Sequence, residues 1–113
     1  MPAGRPQRVQ PVDAAVVRLM ALAAKGVQPQ RMAREVEIIA SEWRRTPDND
    51  PAEVMVWLDE LFGHLAAAAE DAEEWLADVD RSEPAAVKQA KATLEALVAT
   101  REATARERAA LCV

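Results

Sequence analysis

The chain has 113 residues and a formal net charge of −5, which is enough for one domain with a modest core. Half of the residues are apolar, yet tyrosine is absent, phenylalanine occurs once and glycine three times; with abundant Ala, Leu, Glu and Arg this is a helix-forming composition. Charge breaks every long apolar run, which excludes a membrane span; no signal peptide is read at the N-terminus, and the one cysteine, Cys112, cannot close an internal disulfide, so a reducing, cytoplasmic setting is expected.

Residues 1–12 hold Pro2, Pro6 and Pro11 with Gly4, Arg5 and Arg8, and read as an extended basic arm. Asp13 is placed to cap a first helix over 13–25, with Val16, Leu19, Met20 and Ala23 on one face and Gly26 ending it. Pro29 suits the first turn of a second helix over 29–45, where Met32, Val36, Ile39 and Trp43 form one stripe. These two helices make an N-terminal pair over 13–46. The run Thr46-Pro47-Asp48-Asn49-Asp50-Pro51 then breaks the chain, and residues 47–51 are the expected linker.

A long helical hairpin is predicted over 52–113. Asp50 caps its first arm, with Pro51 at the first helical position and Glu53 at the capping-box site. Val54, Leu58, Leu61, Leu65, Ala68, Ala72, Trp75 and Val79 alternate spacings of four and three, the pattern of a coiled-coil seam. Gly63 interrupts that helix and marks either a close contact or a slight bend. Ser82 is expected to cap the second arm, with Pro84 in its first turn; Val87, Ala90, Leu94, Leu97 and Val98 continue an apolar stripe that turns polar past Thr100. The short turn makes the arms antiparallel, each spanning roughly 40 Å. The fold class is therefore all-α: four helices, a short N-terminal pair followed by a long antiparallel hairpin. Trp57, Phe62 and Leu76 lie off the seam, and two arrangements cover them: a closed monomeric four-helix domain, or a second protomer or partner reached through Trp57, Leu58, Leu61, Phe62, Leu65, Trp75 and Leu76.

Charge is segregated along the chain. Residues 1–34 carry six bases against Asp13 alone, residues 35–83 fifteen acids against three bases, and residues 84–113 five bases against three acids. The run Glu70, Asp71, Glu73, Glu74 and Asp78 sits near the C-terminal end of the third helix, where the helix dipole disfavours negative charge. It reads either as a solvated face paired with Lys88 and Lys91 or as an acidic surface for a basic partner. His64 shares a face with Glu60 and Asp71, but Leu61 stands where a carboxylate-bridged metal pair needs glutamate, so no metal site is expected. Ser41, Ser82 and Cys112 find no base, and no glycine-rich phosphate loop is present, so neither an enzyme nor a cofactor is expected.

The segment 29–45 resembles a helix-turn-helix, with Met32, Ala33, Val36, Ile38 and Trp43 at the motif's apolar and small positions but Glu37 in place of its turn glycine. That replacement favours one straight helix. The opening Met1-Pro2-Ala3-Gly4-Arg5-Pro6 is similar to the Gly-Arg-Pro arm of many bacteriophage terminase small subunits. Their layout of arm, helical pair and hairpin is similar too. The resemblance implies a non-enzymatic, homo-oligomeric, DNA-associated adaptor in phage DNA packaging. Arg5, Arg8, Arg31, Arg34, Arg44 and Arg45 would contact nucleic-acid phosphate. The alternative is a small acidic helical inhibitor, of an anti-defence or DNA-mimic type, that docks a basic protein surface.

Overall fold

The computed structural model describes residues 11–45 and 50–111. These form four helices and no strand: α1 (Pro11–Ala24), α2 (Pro29–Arg45), α3 (Pro51–Asp78) and α4 (Pro84–Leu111). None of them is long and apolar enough to cross a membrane. The arm residues Met1 to Gln10, the linker residues Thr46 to Asn49 and Cys112 lie outside the described residues.

Each boundary has a local cause. α1 starts two residues before Asp13, because Pro11 is pre-set for a first helical position; Asp13 sits in the first turn instead of capping it. Pro11 and Val12, read as arm, thus belong to the helix, and its buried stripe is Val12, Ala15, Leu19 and Ala23. Met20, expected on that face, is exposed. α1 ends in a Schellman motif: Gly26 N donates to Ala23 O (2.9 Å) and Val27 N to Leu22 O (3.3 Å), with Gly26 at φ +72°. α2 begins at Pro29 and runs unbroken through Glu37, so the turn of the N-terminal pair is at Gly26. Met32, Val36, Ile39 and Trp43 are all buried along it, as their spacing predicts.

Asp50 caps α3 by accepting from Ala52 N at 2.9 Å, with Pro51 at the first position. The expected cap of α4 is corrected. Ser82 donates both its N–H (2.9 Å) and its hydroxyl (2.8 Å) to Asp80 Oδ1, so Asp80 organises the turn and Glu83 O accepts the first helical bond, from Val87 N. Arg81 turns back and donates to Leu76 O at 3.2 Å, which places a cation at the negative end of α3.

α3 and α4 pack along their lengths. The Asp59–Arg108 ion pair (3.3 Å) joins the start of α3 to the end of α4 and fixes them antiparallel. The buried face of α3 is Val54, Leu58, Leu61, Leu65, Ala69 and Ala72, eighteen residues in five turns. Its spacings of 4, 3, 4, 4 and 3 follow the 3.6 period of a straight helix, whereas the strict alternation of 4 and 3 expected from the sequence follows 3.5. The difference accumulates past Leu65: Ala69 replaces Ala68 in the core, and Trp75 leaves the seam with 42% of its surface exposed. Gly63 faces open space, with nothing within 4 Å of a Cβ built there, so it marks no close contact.

α4 is the hub. It packs on α3 along one side and on α2 along another, and also meets α1. Its buried residues are Ala90, Ala96, Leu97, Thr100, Ala103 and Thr104. The end that reads as polar is therefore sealed. Thr100 Oγ1 donates to Ala96 O (2.6 Å) and Thr104 Oγ1 to Thr100 O (2.8 Å), so each hydroxyl is satisfied by its own helix and presents a methyl to its neighbours. The α1–α2 turn sits on α4: Gln89 Nε2 donates to Ala24 O at 2.6 Å, and a Cβ at Gly26 would lie 3.3 Å from Ala92 Cβ.

Candidate functional site

The α2 surface follows from its core contacts. Successive residues of an α-helix are rotated by about 100°. With Met32, Val36, Ile39 and Trp43 turned inward, Arg31, Arg34, Ile38 and Arg45 fall on the opposite side, within about 60° of one another round the axis. All four are exposed, and among the described residues none of the three guanidinium groups is in an ion pair. Arg31 to Arg45 spans roughly 21 Å of helix at 1.5 Å per residue. Gln28, Gln30, Arg31, Arg34 and Glu35 line a shallow open hollow at the start of the stripe.

Arg44, read from sequence beside Arg45, is directed elsewhere: Nη2 donates to Glu107 Oε1 at 2.9 Å, tying the end of α2 to the end of α4. The arginine face carries one exposed acid, Glu42, about 20° from Arg31 round the axis; Arg18 neutralises Glu35, which flanks the stripe, donating from Nε (3.0 Å) and Nη2 (2.7 Å) to Glu35 Oε1. Arg5 and Arg8 lie outside the described residues.

The residues read as a partner surface divide into three groups. Leu58, Leu61 and Leu65 have no exposed surface and are the protein's own core. Trp57 is half-buried and meets Trp43 edge-on, ring centroids 5.6 Å apart at 68°, which anchors α2 on the start of α3. Phe62 and Leu76 are half-buried, and Trp75 is exposed.

Glu70, Asp71, Glu73, Glu74 and Asp78 are all exposed. The pairing with Lys88 and Lys91 expected for them is not formed: no ion pair among the described residues joins the run to either lysine. Asp80, in the turn, is the group whose acidity moves. The Ser82 N–H, then the Ser82 hydroxyl, hold its carboxyl below the ordinary value of 3.8. His64 is exposed, and no group of three or more His, Cys, Asp or Glu among the described residues is placed to hold a metal ion.

No protein-family model, curated protein or solved structure matches this chain.

Proposed function

We propose that the chain is a nucleic-acid-associated adaptor without an enzymatic role of its own, which grips the phosphate backbone with the outward face of α2. The observation that carries this reading is the row Arg31, Arg34 and Arg45: three exposed cations on one straight face, free of ion pairs among the described residues, around the apolar contact of Ile38. Arginine presents a fork of donors that matches phosphate geometry. In the sequence, Arg5 and Arg8 add two further cations to the N-terminal part of the chain. Arg44 is left out, since Glu107 already holds it.

At the Trp43 end of α2 the acidic run of α3 is distant: Glu70 lies thirteen residues beyond Trp57, roughly 20 Å along the helix, which for Arg45 is more than two Debye lengths at physiological salt, about 8 Å each. Arg31 and Arg34 lie nearer the hairpin turn, since the α1–α2 turn rests on the start of α4. The α1–α2 pair, turning at Gly26, supplies a short helix followed by an arginine-bearing one, and this order with the hairpin behind it supports the likeness to terminase small subunits.

Fluorescence anisotropy of a labelled duplex, titrated at 50 to 200 mM salt, tests the reading. With three phosphates engaged, the slope of log affinity against log salt is about −2.7, and affinity falls roughly 40-fold across that range. Replacing Arg31, Arg34 and Arg45 together by alanine should flatten the slope by the same amount, while Arg44→Ala should leave it unchanged. Absence of binding at 50 mM salt, or binding indifferent to the triple replacement, refutes the proposal.

A further inference from the structure

The arginine row of α2 changes character at its centre. Arg31, Ile38 and Arg45 are spaced seven and seven, so they lie within about 40° of one another round the axis, with Ile38 roughly 10.5 Å along it from either cation. Arg34 stands one turn before Ile38, and Glu42 one turn after. Cations therefore hold the two ends of the face, while its middle holds an isoleucine and a carboxylate.

Neither of those two side chains suits phosphate. Ile38 is 45% exposed and stands outside the core cluster, although Ile39 beside it is buried. Its branched side chain lowers helix propensity slightly and packs on nothing in this chain that would offset the loss. A phosphate offers it no apolar surface, and the charge of Glu42 repels one. Base edges offer the opposite chemistry. The major groove of B-form DNA is about 12 Å wide and admits an α-helix; it displays the thymine 5-methyl group for apolar contact and the cytosine amino group for a carboxylate. Phosphate contacts position a protein on a duplex, whereas contacts with base edges carry the sequence information.

We propose that α2 lies in the major groove of duplex DNA with Ile38 against the 5-methyl group of thymine. Ile38 then sets the base preference, while Arg31, Arg34 and Arg45 hold phosphates on either side of it. The charge of the row selects a polyanion, and its apolar centre selects DNA among polyanions. Duplex RNA carries uracil, which lacks the methyl, and its A-form major groove is too deep and narrow for side chains to read. The inference rests on the phosphate-binding reading of the same face and adds the base group that the face contacts.

Fluorescence anisotropy with three duplexes of one alternating adenine–thymine sequence tests it: the DNA, the same DNA with deoxyuridine for every thymine, and the corresponding duplex RNA. Deoxyuridine removes the methyl and leaves the hydrogen-bonding groups in place. One methyl buried against Ile38 should make the thymine duplex roughly four-fold the tighter ligand. The salt slope should be the same for both DNA forms, because they share the phosphate contacts. Ile38→Ala, at an exposed position, should melt no lower than the parent, keep the slope and bring the thymine-to-uracil ratio close to one; Ile38→Val should keep most of the ratio. Equal affinity of the parent for the thymine and uracil forms overturns the inference. So does a ratio indifferent to Ile38→Ala, or RNA bound as tightly as DNA. In each of those cases a salt slope that depends on Arg31, Arg34 and Arg45 leaves the phosphate reading standing, whereas absence of binding to every duplex overturns both.

Discussion

Two glycines make opposite demands, and replacing each by alanine gives changes of opposite sign. Gly63 is the thirteenth residue of the 28-residue α3, exposed, with nothing within 4 Å of an added Cβ. A methyl there meets no obstacle and removes backbone freedom from the unfolded chain, a gain of about 1 kcal/mol. Gly26 has φ +72°, and its added Cβ would stand 3.3 Å from Ala92 Cβ on a packed helix. Gly26→Ala therefore costs about 1–2 kcal/mol for the left-handed backbone alone, and the contact with α4 adds to it. Unfolding entropy near 2.1 cal/mol/K per residue gives roughly 240 cal/mol/K for a chain of this length, so 1 kcal/mol corresponds to about 4 °C. Thermal melts followed by circular dichroism should show Gly63→Ala about 4 °C above the parent and Gly26→Ala at least 4 °C below. A lowered midpoint for Gly63→Ala would mean that its face is covered in solution. An unchanged midpoint for Gly26→Ala would mean that the turn does not need its left-handed residue. Either result refutes the reasoning.

Three further outcomes follow from the packing. Thr100→Val and Thr104→Val should each change stability by less than about 1 kcal/mol, because the lost hydroxyl bonds lie within one helix and volume is kept, whereas Thr100→Ala should cost more by opening a void between α4 and its neighbours; urea midpoints separate the two. Trp43→Ala removes a side chain only 8% exposed from its edge-on contact with Trp57 and should cost about 3 kcal/mol or more, with loss of the near-ultraviolet tryptophan signal; a near-neutral result would contradict the packing of α2. Asp80 has its folded pKa lowered, so its contribution is present above the unfolded value of 3.8 and disappears as pH falls through the folded one. Asp80→Asn should therefore be the less stable protein at pH 6, with the gap closing in acid; a gap that persists at pH 2 would refute the turn's dependence on the carboxylate.

How far the sequence announces this molecule depends on whether neighbouring residues differ in kind. α2 is legible at both ends because Pro29 opens it and four large apolar side chains keep its register. The seam of α3 is legible to Leu65 and then misread, since Ala66 to Ala69 are chemically identical and only the straight 3.6 period selects Ala69. That slip is what moved Trp75 from the expected seam to the surface. Thr100 and Thr104 read as the polar fading of α4, because bonding to the preceding turn is a property of the folded helix and leaves no mark in composition. In the candidate site, Arg44 and Arg45 are indistinguishable as letters; one step of rotation sends the first to Glu107 and leaves the second in solvent. The corner at Gly26 carries its own signal, a glycine followed after two residues by proline, which outweighs the motif-like spacing centred on Glu37.

The place of α4 has a consequence for how the chain is made. Most contacts between helices in this fold are contacts with α4, the last of the four to leave the ribosome. At about 5–20 residues per second, its 28 residues are added over roughly 1.5–6 seconds. During that interval Met32, Val36 and Trp43 have formed their stripe with little to lie against. The nascent protein thus passes through a stage in which three amphipathic helices wait for a fourth. A synonymous change that slows translation of residues 84–111 would lengthen the wait without altering the finished molecule.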